Sequence, residues 1–197
     1  MSVSSSIQFY MREKIRQLDA QTPWARGMLA RLRRGAGKRM EEMPDLLEVT
    51  LCDLSDEGEI TSVDRAVHTA LTLYALHRQG KDTSMHESGG NSLGRATGYL
   101  ISSDRSNEAS IKHRFDAVIT SRDLAELSYH ARGLVQLIRA HDIPVKLDYE
   151  RFASDLFFYS LQDSRTDVQM RWGRDFYSKY SKNENASAEI GDNQDGE

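Results

Sequence analysis

The chain has 197 residues, is 39% hydrophobic and carries a formal net charge of −4 at pH 7. That length suits one domain whose core needs neither disulfides nor metals to hold it. Its single cysteine, Cys52, excludes an intrachain disulfide and a cysteine-based zinc site, and fits a reducing cytoplasm.

Glu184, Glu189, Asp192, Asp195 and Glu197 crowd the last fifteen residues, which hold no Lys or Arg. Without these acids, residues 1–182 come to about +1. A surface for an anionic polymer must therefore be a patch and not the whole molecule. The N-terminus, MSVSSSIQFYMREK, has no apolar h-region, so no signal peptide is expected. No run approaches the roughly 18 apolar residues of a membrane span. The expectation is a cytoplasmic protein with no membrane partner.

Ile7, Met11, Ile15 and Leu18 recur at helical spacing, which predicts a first helix over 5–19. Thr22-Pro23 gives an N-cap followed by Pro at the first helical position. The helix it opens runs to about Arg34, with Trp24, Met28, Leu29 and Leu32 on the core side. Arg26, Arg33 and Arg34 fall on the opposite side, with Arg31 flanking. Gly35-Ala36-Gly37 ends this helix, since glycine accepts the left-handed conformation there. Lys38 and Arg39 then lie in the exit loop.

Pro44–Leu54 reads as a short apolar helix or turn, and 53–61 as an acidic loop. Thr61 and Asp64 have capping-box spacing. A third stripe follows: Val63, Ala66, Val67, Ala70, Leu71 and Tyr74. Gly80 stops it and opens a long polar loop to Ser92. Ser92 caps the next helix. Ser106 caps another, with Ile111, Phe115, Val118 and Ile119 buried. Thr120 or Ser121 caps the longest, carrying Leu124, Leu127, Ala131, Leu134, Val135 and Ile138. Ile143-Pro144 ends it. Asp148 caps a helix with Phe152, Leu156, Phe157 and Leu161. Thr166 and Gln169 open the last, with Val168, Trp172, Phe176 and Tyr180. The fold class is all-α, a compact bundle of about seven to eight helices with a disordered acidic C-terminal tail. Residues 1–182 form the helical domain, which can divide into two packed halves near 80–92, and 183–197 form the tail.

Metal chemistry finds no footing. His68, His77 and His86 are nine apart, which does not converge on a helix, and His113, His130 and His141 are scattered. The glycine-rich segment from Ser88 to Arg95 is not a P-loop, because no Gly-Lys-Ser/Thr follows and no strand precedes it. Cys52 lies in an apolar context with no His nearby. No metal, cofactor or catalytic constellation is expected.

The basic residues remain. No acid lies between Asp19 and Glu41, so Arg26, Arg31, Arg33, Arg34, Lys38 and Arg39 have no local partner in sequence. Arg65, Arg78 and Lys81 flank the third stripe. Arg95, Lys112, Arg114, Arg122, Arg165 and Arg171 lie further on, together with Arg132, Arg139 and Arg174. Such a set suits phosphate contacts. The aromatic residues fall mainly on core stripes, so no stacking platform for single strands is expected. Binding would go through the nucleic-acid backbone, with little reading of sequence.

In order, the chain holds an N-terminal helix and a helix ending in Leu32-Arg33-Arg34. Gly90-Asn91-Ser92-Leu93-Gly94-Arg95-Ala96 follows much later. After it come the helical segment from Ile111 to Ile138, the connection Leu147-Asp148-Tyr149, and a final pair ending near Arg174-Asp175-Phe176. This order resembles the CasB family, the small subunit of the type I-E CRISPR surveillance complex Cascade, over nearly all of residues 5–180. The resemblance implies an all-helical, non-enzymatic subunit that pairs head to tail with a second copy beside the other Cascade subunits. It implies contact with the CRISPR RNA, the target DNA and the displaced strand, steadying the R-loop through basic surface. Base pairing supplies specificity in such systems. Arg33 and Arg34 match the family's double arginine, and Arg95 the arginine of the Ser-Leu-Gly-Arg segment, which is equally suited to tying a helix start to its neighbour. Arg122 and Arg165 fall where relatives carry basic residues. The residues also admit a helical DNA-binding regulator, with Thr120-Ser121-Arg122 heading a recognition helix, and a protein–protein adaptor.

Overall fold

The computed structural model describes residues 2–52, 59–103 and 107–191, with side chains described to Ser178 except at 102 and 103. Nine α-helices and one short strand are found among them: α1 (Val3–Leu18), α2 (Pro23–Gly35), α3 (Leu47–Thr50), α4 (Ser62–His77), β1 (His86–Asn91), α5 (Leu93–Ser103), α6 (Glu108–Ile119), α7 (Leu124–Ala140), α8 (Tyr149–Ser160) and α9 (Gln162–Gly191). Two 3-10 turns, Met40–Glu42 and Pro44–Leu46, precede α3. The expected all-α class holds. The acidic loop at 53–58 and the Ser106 cap lie outside the described residues.

Helix α4 forms the centre. It packs on α8, α2, α7, α1 and α3. Every residue from Ala66 to His77 is buried, so the sequence reading of a one-sided stripe is too narrow. A helix apolar all round belongs inside a protein. The expected capping box starts it: Thr61 Oγ1 accepts from the Asp64 N–H, and Asp64 Oδ2 accepts from the Thr61 N–H. Some of its interior polar groups are satisfied locally, as when the Thr72 hydroxyl donates to the His68 carbonyl at 2.8 Å, while the buried His68 ring nitrogens find no hydrogen-bond partner among the described residues.

On α2 the buried stripe is Ala25, Met28, Leu29 and Leu32. Trp24 is 47% exposed, against the expectation of a core residue. Ala25 occupies the core position one residue later, and 100° per residue turns Trp24 out of the stripe. Gly35 lets α2 approach α4 and the second 3-10 turn: a Cβ there would lie 2.9 Å from Leu46 Cδ1 and 3.0 Å from Thr72 Cγ2.

Several boundaries differ from the sequence reading. Half of the polar loop is β1, bridged to Leu147. The Leu147 N–H donates to the Met85 carbonyl and the Asp148 N–H to the Asn91 carbonyl. Glu150 fastens this strand to the bundle. It accepts from Arg12 (3.0 and 2.7 Å), His86 Nε2 (3.1 Å) and Ser88 (2.7 Å). Burial pushes the Glu150 carboxyl up, but these donors outweigh it and hold it at about 2. Asp123 caps α7, accepting from the Glu126 N–H, in place of Thr120 or Ser121. A carboxylate beats a hydroxyl at that position because it also complements the helix dipole. Helix α9 starts at Gln162, ahead of Thr166, and its 30 residues make it longer than α7. It runs to Gly191, past the point where the tail was expected to begin. The last buried side chain described is Phe176, stacked on Phe115 at 4.4 Å.

The Ser-Leu-Gly-Arg segment opens α5, which lies tightly against α9. A Cβ on Gly94 would fall 2.1 Å from the Trp172 carbonyl oxygen, a backbone atom that cannot step aside. Gly94→Ala should therefore lower stability by about 3 kcal/mol or more, the upper end of overpacking. Gly27, on exposed α2 with nothing within 4 Å of its would-be Cβ, should respond oppositely. Gly27→Ala should raise stability by about 0.5–1 kcal/mol through helix propensity. Denaturant titration of both variants distinguishes the signs.

A pH dependence follows from the buried histidines. Burial pushes His77 down to about 4, helped by Lys81 and Arg139, while its Nδ1 meets the Tyr149 hydroxyl at 3.2 Å. Burial also lowers His68. An unfolded histidine titrates near about 6.5, so between there and 4 the unfolded chain binds more protons than the folded one. Stability then falls on acidification, by up to about 1.4 kcal/mol per pH unit for each such histidine. Melting temperature should drop from pH 7 to pH 5, with a shallower slope in His77→Gln. Glu150, depressed instead, gives up its contribution only at lower pH, between the ordinary carboxylate range and about 2.

Candidate nucleic-acid interface

Many of the candidate cations are engaged by the fold. Acids absent from the basic run in sequence return to it in space through the 3-10 turns and α3. Arg31 donates to the Asp45 carbonyl and lies 3.5 Å from the Asp45 carboxylate and 3.4 Å from Glu48. Arg34 is 3.9 Å from Asp45, Arg39 is 3.8 Å from Glu41, and Arg65 is 2.8 Å from Glu41. The expectation of a run without partners is corrected accordingly.

Arg78 has a side chain only 12% exposed, fixed by Asp19 at 3.4 Å and donating to the Asp82 carbonyl. Arg171 compensates buried Asp155 at 2.5 Å, a carboxylate that also accepts from Trp172 Nε1 at 2.7 Å. Arg165 donates to the Tyr159 and Arg122 carbonyls and lies over the Tyr159 ring. Lys112 lies 5.8 Å over the Tyr177 ring. Arg122 is 90% exposed and 3.5 Å from Glu126. Arg95 is half exposed and 3.9 Å from Asp175, which also accepts from Ser92 at 2.6 Å. Of its two expected roles, the tie between a helix start and its neighbour is thus in place.

The remaining cations gather around three depressions. One, of about 440 Å³, lies between α2 and the end of α4 and is lined by Arg26, Arg33, Arg78, Lys81 and the acid Asp82. A second, of about 360 Å³, is lined by Lys38, Arg39, Arg65 and Arg165, with Glu41 and Asp123 among them. The third, of about 500 Å³, lies between α6 and α7 and holds Arg114, Arg132, His113, His130, Tyr129 and Gln136 with no carboxylate. The second and third share α7. Arg132 drapes its stem over Gly37, whose φ is +79° and whose would-be Cβ is 3.1 Å from Arg132 Cδ. Among the described residues, Arg26, Arg33, Lys38, Lys81, Arg114 and Arg132 have no carboxylate partner.

Sequence reasoning counted Arg114 and Arg132 among the basic residues but left out the aromatic beside them. Tyr129 is 67% exposed and lines the α6–α7 depression. An exposed aromatic among cations thus stands where no platform was expected. The signal was available: Tyr129 falls outside the stripe Leu127, Ala131, Leu134, Val135. Pairing it with Arg114 needed the hairpin geometry. The segment Thr120-Ser121-Arg122 does not suit base reading, since Ser121 is buried with its hydroxyl donating to the Ala117 carbonyl. No cluster of three His, Cys, Asp or Glu able to hold a metal occurs among the described residues. No described helix is long and apolar enough to cross a membrane.

Comparison with known proteins gives this geometry a setting. Curated proteins yield no match. Among solved structures, CasB from Thermobifida fusca is 30% identical with a TM-score of 0.70, over 88% of this chain and 97% of that one. CasB from M. ruber is 27% identical with a TM-score of 0.70, over 90% and 98%. A chain of a CRISPR RNA-guided surveillance complex is 19% identical with a TM-score of 0.69, over 92% and 99%, a likeness of fold. The sequence also matches the model of the CRISPR-associated protein Cse2 over residues 28–177, most of the chain. With that match and the shared fold, the chain belongs to the Cse2 (CasB) family of CRISPR-associated proteins.

Proposed function

We propose that this chain is the non-catalytic small subunit of a type I-E Cascade complex in the cytoplasm. It pairs with a second copy, sits beside the other subunits and the CRISPR RNA, and steadies the R-loop by sequence-independent contact with target and displaced DNA backbones. The observation that carries this reading is the set of cations without carboxylate partners, gathered around depressions on a chain otherwise near neutral. A fold must normally pair or disperse its arginines, and around these depressions this one leaves Arg26, Arg33, Lys38, Lys81, Arg114 and Arg132 without a carboxylate among the described residues. Phosphate is the anion that such a set accepts without reading sequence. Family membership supports the CRISPR setting.

The test is salt-dependent binding of oligonucleotides by the purified chain, followed by R-loop formation in the assembled complex. Arg33→Glu with Lys81→Glu should reduce the slope of log affinity against log salt by about 0.9 per lost duplex phosphate contact. Arg33→Glu with Arg34→Glu should lower R-loop yield while helical content by circular dichroism stays unchanged. Arg78→Gln should instead lower stability, because Asp19 loses its counter-ion and keeps only the Tyr74 hydroxyl as a side-chain donor among the described residues. Binding that depends on one DNA sequence would favour a regulator. Absence of any salt-dependent binding would favour an adaptor.

A further inference from the structure

The α6–α7 depression differs in kind from the other two. Its two arginines come from opposite helices, Arg114 on α6 and Arg132 on α7, and neither has a carboxylate partner among the described residues. Gly133 lies between them in mid-helix, where glycine is unfavourable relative to alanine. The one atom near its would-be Cβ is Arg114 Nη1, at 3.2 Å. The glycine thus lets a guanidinium lie against the α7 backbone on the floor of the depression. Tyr129 stands beside it, 67% exposed, its ring 5.3 Å from His130 in a T-shaped arrangement. The volume, about 500 Å³, falls within the range that takes a small ligand.

An aromatic face next to two unpaired guanidinium groups matches one ligand chemistry. A flat π-system stacks on the ring while an adjacent phosphate meets the arginines. A paired duplex cannot offer this, because its bases are stacked on one another. We propose that this depression is a subsite for one unpaired nucleotide of a single strand, with the base on Tyr129 and its flanking phosphates on Arg114 and Arg132. The inference rests on the backbone-binding reading and adds to it a preference for single over double strands at this place. Stacking is indifferent to base identity and to the 2′-hydroxyl, so DNA and RNA strands both qualify.

The test uses the full-length protein with four probes: a mixed-sequence single-stranded DNA, the matching RNA, the DNA duplex, and an abasic strand of equal length. Tyr129→Ala should weaken both single strands about tenfold, within the range expected for one lost base–aromatic stack. It should leave the salt slope, the duplex and the abasic strand unchanged. Tyr129→Phe should bind as the parent does, since the ring and not the hydroxyl is used. Arg114→Gln and Arg132→Gln should each reduce the single-strand salt slope by about 0.7. Exposure of Tyr129 keeps the variants folded, which circular dichroism checks. Equal binding of single strands by Tyr129→Ala and the parent overturns the stacking inference, while intact salt dependence leaves the backbone reading standing. A loss confined to RNA, or shared by the duplex, also overturns it. A parent protein without salt-dependent binding removes both.

Discussion

The burial of α4 on every side is the constraint from which the rest of the architecture follows. A helix with Ala66, Val67, Ala70, Leu71, Leu73 and Leu76 spread around its circumference has no face to give to water. It must be enclosed, and α1, α2, α3, α7 and α8 do so. Small side chains let those neighbours come close, as Gly35 does from the α2 side. Most of the polar residues trapped within are tolerable because they find an answer: a hydroxyl bonding one turn back, an aspartate closing the capping box, a histidine kept neutral by burial. Enclosing α4 also sets where the cations emerge. Arg26, Arg33 and Lys38 lie on the outer side or exit of α2, and Arg132 on the outer side of α7.

Local signals were read well because they are local. Thr22, Thr61, Ser92 and Asp148 cap helices as their neighbours in sequence imply. Gly37 and Gly80 take positive φ where helices stop. What the sequence could not disclose depends on residues far apart along the chain. Asp45 and Glu48 reach back to Arg31, Asp19 reaches Arg78, and Asp155 takes Arg171 from the following helix. A run without acids in sequence is therefore no guarantee of unpaired charge. β1 was hidden for the same reason, since its HESGGN sequence lacks alternation and is held by hydrogen bonds to the Lys146–Glu150 segment.

The most specific piece of the family resemblance turns out to be a packing device. Gly94 admits the Trp172 carbonyl, Ser92 caps α5 and donates to Asp175, and Arg95 approaches the same carboxylate. Ser92, Gly94 and Arg95 each join α5 to α9, and a substitution at any of them acts on the fold before it acts on binding. Motif specificity and functional contact are separate properties here. Apart from Arg33, which belongs to the double arginine, the cations proposed to contact nucleic acid have no motif, only the absence of carboxylate partners among the described residues.

That absence has an energetic meaning. A surface arginine beside a carboxylate has part of its field cancelled and must shed that partner to meet a phosphate. An arginine such as Arg114, laid over Gly133 and facing no acid, is already positioned and loses less on binding. On the proposed reading, such groups on a near-neutral domain would form a modest, salt-sensitive surface that discriminates anion from neutral ligand but not one sequence from another. Weakness of this kind suits a subunit whose nucleic acid is brought to it. If neighbouring subunits hold the strand nearby, as proposed above, effective concentration would replace affinity, and a few well-placed cations would be enough to keep the backbone where base pairing has put it.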